Sequence, residues 1–249
     1  MKESDALKLC VIMPTYNNGG TLRDVAERVL AFTNDLIIVN DGCTDNTPEI
    51  LASMGEKITV VDYGKNRGKG YALKKGFEKA KELGFDYAIT IDSDGQHFPE
   101  DIPLFIEAIK RNKGALVVGS RNLKQENMPG GNTFANKFSN FWFRVQTGIN
   151  LPDTQTGYRL YPLKNMPSLC MLTSRYEAEL ELLVFSAWRN IPLIPIKINV
   201  FYPKAEERIS HFRPFWDFFR ISVLNTILCF VAIFYGWPSR LIRKWRSHE

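Results

Sequence analysis

The sequence has little of several features that would assign a protein to a special class. Its four cysteines (Cys10, Cys43, Cys170 and Cys229) are far apart among 249 residues and form no C-x-x-C pair. This spacing argues against a cysteine zinc site and favours buried free thiols in a reducing compartment. The net charge of +5 is too small to indicate nucleic acid as a partner. Residues 1–8 are polar and lack the apolar core of a signal peptide, so we expect the catalytic part to stay in the cytosol.

The remaining composition is that of a folded globular protein. Apolar residues make up 45% of the chain and charged residues 24%, which argues against disorder. The length suffices for one large α/β domain with a substantial core. No internal repeat or low-complexity linker interrupts the chain.

Short apolar runs alternate with amphipathic stretches over the first 120 residues. The pattern predicts strands at 9–13, 36–39, 58–61, 87–91 and 115–118, and helices at 21–32, 70–83 and 99–111. Runs that are apolar on both faces and joined by helices indicate a mostly parallel sheet with helices on each side. Beyond residue 119 the alternation weakens, and we predict helices at 133–148 and 174–189 and a strand at 193–201.

Polar loops follow all five strands of the predicted sheet. In chain order they are Pro14-Thr15-Tyr16-Asn17-Asn18, Asn40-Asp41-Gly42-Cys43-Thr44-Asp45, Asn66-Arg67-Gly68-Lys69-Gly70, Asp92-Ser93-Asp94-Gly95-Gln96-His97 and Ser120-Arg121. Ligands of an open parallel sheet bind outside the carboxyl ends of its strands. Any one of these loops fits ordinary turn chemistry, but five at one edge predict a site.

Asp92 and Asp94 are the most informative pair. Two carboxylates spaced i and i+2 at a strand end can converge on a hard cation such as Mg²⁺ or Mn²⁺, and the amide oxygen of Gln96 could join them. A cation of this kind keeps positions open for substrate phosphates. The structural alternative is an Asp-rich turn with an Asx hydrogen bond.

Taken together, the segments VIMPTYNN, IIVNDGCTDNT, NRGKGYAL, AITIDSDGQHFPED and VVGSR resemble glycosyltransferase family 2, the inverting glycosyltransferases with the Rossmann-like GT-A fold. Within that family the chain is most similar to the dolichol- or polyprenyl-phosphate mannosyl- and glucosyltransferases. The resemblance is strong over residues 9–121. It continues loosely through DTQTGYR at 153–159, which is similar to the subgroup's D-x-x-S-G-F-R, and is thinnest after about residue 200.

The resemblance implies transfer of a sugar, with inversion, from a GDP- or UDP-sugar to a lipid-linked acceptor such as polyprenyl phosphate or a glycolipid. It assigns Asp92, Asp94 and Gln96 to the divalent cation. The donor set is Pro14, Tyr16, Asn18, Asp41, Asn66, Gly68, Ser93, Gln96, Arg121 and Arg208. Arg159 and Arg208 are expected at the acceptor side. The subgroup often has Glu at Asn18, and Asp-Asp-Gly-Ser at 40–43, so the base, uracil or guanine, stays open.

Charge development indicates what the catalytic groups must do. Breaking the bond from the sugar to the diphosphate leaves negative charge, which the cation and Arg121 would neutralise. An alcohol acceptor needs a general base, whereas a phosphate acceptor is already ionised and mainly needs positioning cations. The candidate bases are Asp153 and the pair Glu177 and Glu179, of which we favour Glu179; the alternative is that they are ordinary surface carboxylates.

The last 39 residues mix aromatic and basic side chains. The apolar run at 221–235 is shorter than the roughly 20 residues of a membrane span, and basic residues lie on both sides of it. We therefore expect an interfacial helix or re-entrant hairpin on the cytoplasmic face of the membrane, as in a peripheral or monotopic protein. The alternatives are an amphipathic helix packed on the sheet or a dimer contact. The predicted domains are 1–210, comprising a donor half (1–121) and an acceptor half (122–210), and the segment 211–249.

Two other functions remain in competition. A nucleotidyltransferase also has paired carboxylates on a Rossmann-like sheet, but usually carries a Gly-rich basic loop after the first strand, where this chain has Pro14 to Asn18. A non-catalytic nucleotide-sugar-binding protein is disfavoured by the intact set of Asp92, Asp94 and Gln96. The oligomeric state, the sugar and the acceptor are not fixed by the sequence.

Overall fold

The computed structural model describes residues 2–121, 130–166, 173–202 and 214–246. Its strands are β1 (Leu9–Thr15), β2 (Leu36–Asn40), β3 (Thr59–Asp62), β4 (Tyr87–Thr90), β5 (Leu116–Arg121), β6 (Arg159–Pro162) and β7 (Leu193–Ile198). The α-helices are α1 (Glu3–Ala6), α2 (Gly19–Leu30), α3 (Thr47–Met54), α4 (Lys69–Glu82), α5 (Ile102–Arg111), α6 (Gly130–Thr147), α7 (Glu177–Trp188), α8 (Pro214–Val231) and α9 (Trp237–Arg246).

The strands form one seven-stranded sheet in the order β3-β2-β1-β4-β6-β5-β7. Neighbouring strands are parallel except at β6, which runs antiparallel to both β4 and β5. The predicted α/β class, a mostly parallel sheet flanked by helices, is confirmed. Strand β6 was not predicted, because it is four residues long and begins with a buried arginine, Arg159, instead of an apolar run.

Strand β1 also extends further than predicted. Pro14 was expected to end it, yet Pro14 pairs with Val39 and Thr15 with Asn40 of β2. The pairing of β1 with β4 stops at Ile12 and Thr90. Pro14 therefore has a hydrogen-bonded strand on one side only, which is the setting in which a sheet tolerates the missing N–H.

Alternate residues of the central strands feed two apolar clusters, one on each face of the sheet. One contains Leu9, Val11 and Met13 with residues of α2 and α5. The other contains Cys10 and Ile12 with residues of α4 and α7, and it continues to Leu224, Leu228 and Ala232 near the carboxyl end of the chain. Cys10 is buried and free, Cys43 and Cys229 are partly buried and free, and Cys170 lies outside the described residues.

The carboxyl-terminal segment is a single helical rod. Helix α8 passes through a π-helical turn at Ala232–Gly236 into α9, so the re-entrant hairpin that we considered is not seen. The stretch Phe219–Ile242 is 24 residues with a mean hydropathy of 1.7, enough by length and composition to cross a membrane. The prediction that the apolar run is too short was therefore wrong, because the helix continues past residue 235 through Pro238.

One face of this rod nevertheless packs on the rest of the chain. Gly236 lies so close to the indole of Trp188 that a Cβ atom there would overlap it. The side-chain amide of Gln146 donates to Asn225 Oδ1 at 2.9 Å, and both residues are buried. The segment thus shares a core with the seven-stranded sheet, and its treatment as a separate unit stays a prediction.

Candidate active site

A cavity of about 670 Å³ opens at the carboxyl ends of β1, β2 and β4. It is lined by twelve of the predicted site residues: Pro14, Tyr16, Asn18, Asp41, Asn66, Gly68, Asp92, Ser93, Asp94, Gln96, Arg121 and Glu179. Asp153 and Arg159 do not line it, and Arg208 lies outside the described residues. The topology explains why these twelve residues lie together, because parallel strands bring the loops that follow them to one edge of the sheet.

Asp41 organises the loop that opens helix α4. Its carboxylate accepts hydrogen bonds from the Tyr63 hydroxyl at 2.7 Å, the Asn66 amide at 3.2 Å and the main-chain N–H groups of Arg67 and Gly68 at 2.7 and 2.9 Å. Burial, followed by the neighbouring Asp41 carboxylate, raises the pKa of Tyr63. Asp41 therefore holds the wall of this cavity in place, and its predicted contact with the base or ribose stays a prediction.

Asn18 and Ser93 join the first and fourth loops. The Asn18 side-chain amide donates to Ser93 Oγ at 3.0 Å, and the Thr21 hydroxyl donates to the Ser93 carbonyl at 2.6 Å. Ser93 is buried. These bonds fix the main chain between Asp92 and Asp94, so both carboxylates project from a braced loop.

Lys69 lies between two carboxylates at the floor of the cavity. Its Nζ is 2.7 Å from Asp92 Oδ1, 2.9 Å from Asp92 Oδ2 and 3.2 Å from Glu179 Oε2. Burial by itself would lower the pKa of Lys69, but Asp92 and Glu179 outweigh it and raise it. Burial likewise opposes ionisation of Asp92, yet Lys69 holds its pKa below the usual value. Lys69 is therefore an ammonium whose charge is shared by two anions.

Gly157 leaves free space beside the charged groups of Lys69, Asp92 and Glu179. A Cβ atom on Gly157 would lie 2.8 Å from Glu179 Oε1, 2.8 Å from Lys69 Nζ and 3.1 Å from Asp92 Oδ2. The Gly157 carbonyl accepts a hydrogen bond from the Thr90 hydroxyl at 2.6 Å. Glycine is thus required by space at this position, since any side chain would occupy the point on which the three charged groups converge.

Asp94 forms no such ion pair within the described part of the chain. Its Oδ1 accepts the main-chain N–H of Gln96 at 2.9 Å. Burial, reinforced by the negative charge of Asp92, raises its pKa to about 6. Ionisation of this carboxylate is therefore disfavoured in the absence of a bound cation, and a divalent ion would supply the missing positive charge.

The residues fit a hard divalent cation that is completed by substrate. Within the described part of the chain, no three His, Cys, Asp or Glu side chains converge on a metal position. Asp92, Asp94 and Gln96 offer oxygen ligands beside an open cavity, and Mg²⁺ and Mn²⁺ characteristically take further oxygens from substrate phosphates. The donor set therefore suits a cation that binds together with a diphosphate.

His97 lies beside these carboxylates in its uncharged form. It is 7% exposed, and no described residue forms a hydrogen bond with its Nδ1. Burial lowers the pKa of His97 to about 4, against the opposing influence of Asp92. Its ring packs edge-on against Tyr158, with centroids 5.3 Å apart. At neutral pH it therefore adds a polar wall without adding charge.

Arg121 and Asp153 form a two-pronged ion pair. Arg121 Nε and Nη2 donate to the two Asp153 oxygens at 2.6 and 3.0 Å, and the Asn136 amide donates to Oδ1 at 2.7 Å. Burial works against the charge of Asp153, but Arg121 and these hydrogen bonds keep its pKa below the usual value. Both carboxylate oxygens of Asp153 are thus used to orient Arg121, and the predicted role of Asp153 as a base stays a prediction.

Arg159 is fully buried behind the cavity. Its guanidinium donates to the main-chain carbonyls of Glu179 at 2.6 Å and Thr154 at 2.9 Å. It ties the first turn of α7 to the loop that carries Asp153. This placement suits positioning of Glu179 better than direct contact, and the predicted acceptor role of Arg159 stays a prediction.

Several cavity residues were absent from the predicted set: Lys69, His97, Gln155, Gly157, Arg175 and Tyr176. Lys69 and His97 lie in loops that the sequence placed at the site, but nothing in their spacing shows which way their side chains turn. Arg175 and Tyr176 precede α7, whose amino terminus packs so closely on α4 that a Cβ at Gly70 would overlap Ala178. Only the three-dimensional packing brings them to the site.

A second cavity of about 260 Å³ adjoins the first and shares Arg121, Gln155, Tyr176 and Glu179 with it. It is further lined by Ala135, Ser139, Thr154, Glu177, Leu180 and Ile221. The Ser139 and Thr154 hydroxyls are 2.7 Å apart, and Glu177 Oε2 and Glu179 Oε1 are buried with no hydrogen-bond partner among the residues that the structure describes. A passage lined by both polar and apolar side chains therefore leads from the first cavity toward the carboxyl-terminal helix.

Comparison with known proteins identifies the family to which the chain belongs. Residues 10–164 match the family described as glycosyl transferase family 2. Over 210 residues the chain is 32% identical to a UDP-N-acetylglucosamine–dolichyl-phosphate N-acetylglucosaminyltransferase of Methanococcus voltae, covering 75% of this chain and 84% of that protein. It is 30% identical over 168 residues to an undecaprenyl-phosphate mannosyltransferase of Micrococcus luteus, covering 62% and 66%.

Solved structures show the same fold. Glucosyl-3-phosphoglycerate synthase of Mycobacterium tuberculosis in complex with uridine diphosphate superposes with a TM-score of 0.65 at 19% identity, covering 92% of this chain and 81% of that one. The same synthase with Mn²⁺, uridine diphosphate and phosphoglyceric acid gives 0.65 at 18%, covering 92% and 80%. The predicted family and GT-A fold are confirmed, and the chain belongs to glycosyl transferase family 2 as a GT-A glycosyltransferase.

Proposed function

We propose that this glycosyltransferase moves a hexose from a nucleotide-sugar to a polyprenyl-type lipid phosphate. The observation that carries the proposal is the joined pair of cavities, one at the sheet edge with the cation ligands and the other leading to an apolar helix. The lipid-phosphate sugar transferases among the relatives support the acceptor class. The complexes of the structural relative with uridine diphosphate support the donor class.

The first cavity would hold the donor. Pro14, Tyr16 and the loop fixed by Asp41 line the end suited to the nucleoside, while Asp92, Asp94 and Gln96 lie where a diphosphate and a divalent cation would meet. A divalent cation held there would neutralise charge on the departing nucleotide, and the structural relative was crystallised with Mn²⁺. Transfer measured with each ion in turn distinguishes Mg²⁺ from Mn²⁺.

The protein's own groups would position the sugar and the acceptor. Lys69, held by Asp92 and Glu179, presents N–H donors to sugar hydroxyls at the point that Gly157 keeps clear. Arg121, oriented by Asp153, lines both cavities. It would hold the acceptor phosphate there, in addition to the donor-side role expected from the sequence. A phosphate oxygen attacks without prior loss of a proton, so Glu179 would act as a positioning group for this acceptor and as a base only for an alcohol.

Attachment to the membrane would follow from the exposed face of the carboxyl-terminal helix. Trp216, Phe219, Phe230, Phe234 and Trp237 are 41–80% exposed there, while the opposite face is packed on α6 and α7. A helix held along the domain in this way lies on a bilayer more readily than through it. We therefore propose a peripheral or monotopic protein on the cytoplasmic face, with 211–249 as its main anchor.

A donor and acceptor panel tests the proposal. Purified protein in detergent is given UDP- and GDP-hexoses with a polyprenyl phosphate, in Mn²⁺, Mg²⁺ or EDTA, and the lipid product is measured. We expect transfer from one nucleotide class that stops in EDTA. Transfer that persists in EDTA would overturn the cation assignment, and transfer to water alone would overturn the acceptor assignment.

A further inference from the structure

We propose that Asp101 is a positioning residue for the loop that carries the cation ligands. Asp101 fixes the residues that follow β7, and these in turn hold the main chain at Gln96. We call residues 92–97 the cation loop and residues 199–202 the latch segment. The inference rests on the proposed cation site, and it names a residue outside the lining of the cavity on which that site depends.

The carboxylate of Asp101 is bonded to the latch segment instead of to its own helix. Asp101 is 4% exposed and lies at the amino-terminal cap position of α5. An aspartate there ordinarily accepts a main-chain N–H of the first helical turn, but the side chain of Asp101 forms no such bond. Its Oδ2 accepts the main-chain N–H of Asn199 at 2.7 Å, and its Oδ1 accepts the Asn199 side-chain amide at 3.0 Å. Helix capping therefore does not explain this buried residue.

The latch segment contacts the cation loop at two successive residues. Val200 forms an antiparallel bridge with His97. The main-chain N–H of Phe201 donates to the carbonyl of Gln96 at 2.8 Å, and the N–H of Gln96 donates to Asp94 Oδ1 at 2.9 Å. The latch segment and Asp94 thus hold the two sides of the Gln96 main chain, and they fix the point from which its side-chain amide extends.

Apolar packing holds only part of the latch segment. Val200 is buried and Tyr202 partly buried against one apolar cluster, whereas Phe201 is 53% exposed. The segment also lies beyond the carboxyl end of β7, where the parallel pairing with β5 has ended. Its position therefore depends on the two bonds to Asp101, because a segment with few buried contacts opens easily once its hydrogen bonds are lost.

The Gln96 end of the cation loop is the end that needs this support. The bonds of Asn18 and Thr21 to Ser93 brace the loop between the two aspartates, and Gln96 lies beyond that brace. Small divalent cations accept ligand oxygens over a narrow range, at about 2.0–2.1 Å for Mg²⁺. A displaced main chain at Gln96 would therefore remove its amide oxygen from the ligand set.

Hydrogen exchange tests whether Asp101 holds the two segments. Full-length wild type and Asp101→Ala are compared in detergent by exchange mass spectrometry, on peptides that cover residues 94–97 and 199–202. We expect faster exchange of both peptides in the variant, because the Phe201 N–H is no longer held against the Gln96 carbonyl. Should Asp101→Ala not fold, Asn199→Ala takes its place, since it removes only the side-chain bond.

Mn²⁺ titration tests whether this support matters to the cation. Free Mn²⁺ is measured by electron paramagnetic resonance with the same proteins, without nucleotide. We expect Asp101→Ala to bind Mn²⁺ about tenfold more weakly, as is common when a residue that orients a metal ligand is lost. Asp101→Asn keeps one oxygen that can accept the Asn199 N–H and should lie between Asp101→Ala and wild type.

Ile109→Ala is the matched control. Ile109 is 1% exposed on the same helix, α5. Its truncation should lower the free energy of unfolding through lost packing and leave the affinity for Mn²⁺ as in wild type. The control therefore separates a positioning role of Asp101 from a general contribution to stability.

Four results would overturn the inference. Unchanged exchange of both peptides in Asp101→Ala would show that the bonds to Asn199 do not hold the loop. Faster exchange with unchanged Mn²⁺ affinity would show that the cation does not depend on the position of Gln96. Equal weakening by Ile109→Ala would leave Asp101 a stabilising residue only. Wild type that transfers sugar without binding Mn²⁺ would remove the cation assignment but leave the proposed transfer intact, so the two failures are distinguishable.

Discussion

Replacing Asp94 by asparagine should stabilise the cation-free protein. The pKa of Asp94 is raised from 3.8 to about 6 by burial and by the charge of Asp92. Because the folded-state pKa lies above the unfolded-state value, ionisation favours unfolding, and stability present below pH 3.8 is lost as the pH rises through about 6. A difference of about 2 pKa units corresponds to at most about 3 kcal/mol.

Asparagine keeps the oxygen that accepts the Gln96 N–H but carries no charge. In EDTA we therefore expect the free energy of unfolding of Asp94→Asn to exceed that of wild type at pH 7, and the two to converge near pH 4. Urea unfolding at pH 4, 5, 6 and 7 measures the difference directly. With Mn²⁺ and nucleotide the order should reverse, since ligand that binds only the folded wild type stabilises it.

Asp92→Asn is the matched control, because it lies two residues away and should have the opposite sign. Lys69 holds the pKa of Asp92 below its usual value, so this carboxylate contributes stability above its unfolded pKa and loses it as the pH falls. Its removal leaves Lys69 with Glu179 alone and should destabilise the protein at pH 7. If Asp94→Asn were instead destabilising at pH 7 in EDTA, or differed from wild type equally at every pH, the reasoning from burial would be refuted.

Three further outcomes follow from the described contacts. Gly157→Ala should reduce transfer at least about tenfold, because the new methyl group meets Lys69 and Glu179 at 2.8 Å; activity equal to wild type would show that this point is not used. Asp153→Asn should cost about 3 kcal/mol in urea unfolding, since it leaves the guanidinium of Arg121 buried without its anion, and a loss under about 1 kcal/mol would contradict that pairing. Gly236→Val should overlap Trp188 and speed proteolysis of the carboxyl-terminal helix, with an unchanged cleavage rate counting against the packed arrangement.

The sequence predicted most of the fold because the central strands are continuous apolar runs. Leu36–Asn40, for example, is buried at every position, so its pattern has few other interpretations. Strand β6 was missed because it begins with Arg159, whose buried guanidinium donates to the carbonyls of Glu179 and Thr154. Nothing in the local sequence marks these two residues as its partners. Burial of an arginine depends on partners that only the tertiary structure brings together.

The candidate site likewise has residues that the sequence could predict and residues that it could not. Asp92, Asp94 and Gln96 could be placed because strand order fixes where loops gather, irrespective of side-chain detail. The partnership of Lys69 with Asp92 and Glu179 joins β4, α4 and α7, and no local spacing encodes it. The length of the carboxyl-terminal helix was underestimated because its apolar run was expected to end at residue 235. In the structure the helix continues, and Pro238 falls just after the π-helical turn, in the first turn of α9, where a missing N–H costs little.

The buried hydrogen bond between the amides of Gln146 and Asn225 has a consequence for how the protein would move from one membrane to another. Pulling the helix away from α6 would leave two amides without partners in an apolar seam, so the helix and the domain should enter and leave lipid as one body. Nothing charged has to cross a bilayer in that movement. In the proposed orientation a single copy could therefore detach, diffuse and reattach, and the same enzyme molecule would glycosylate acceptors in more than one vesicle of a mixed suspension.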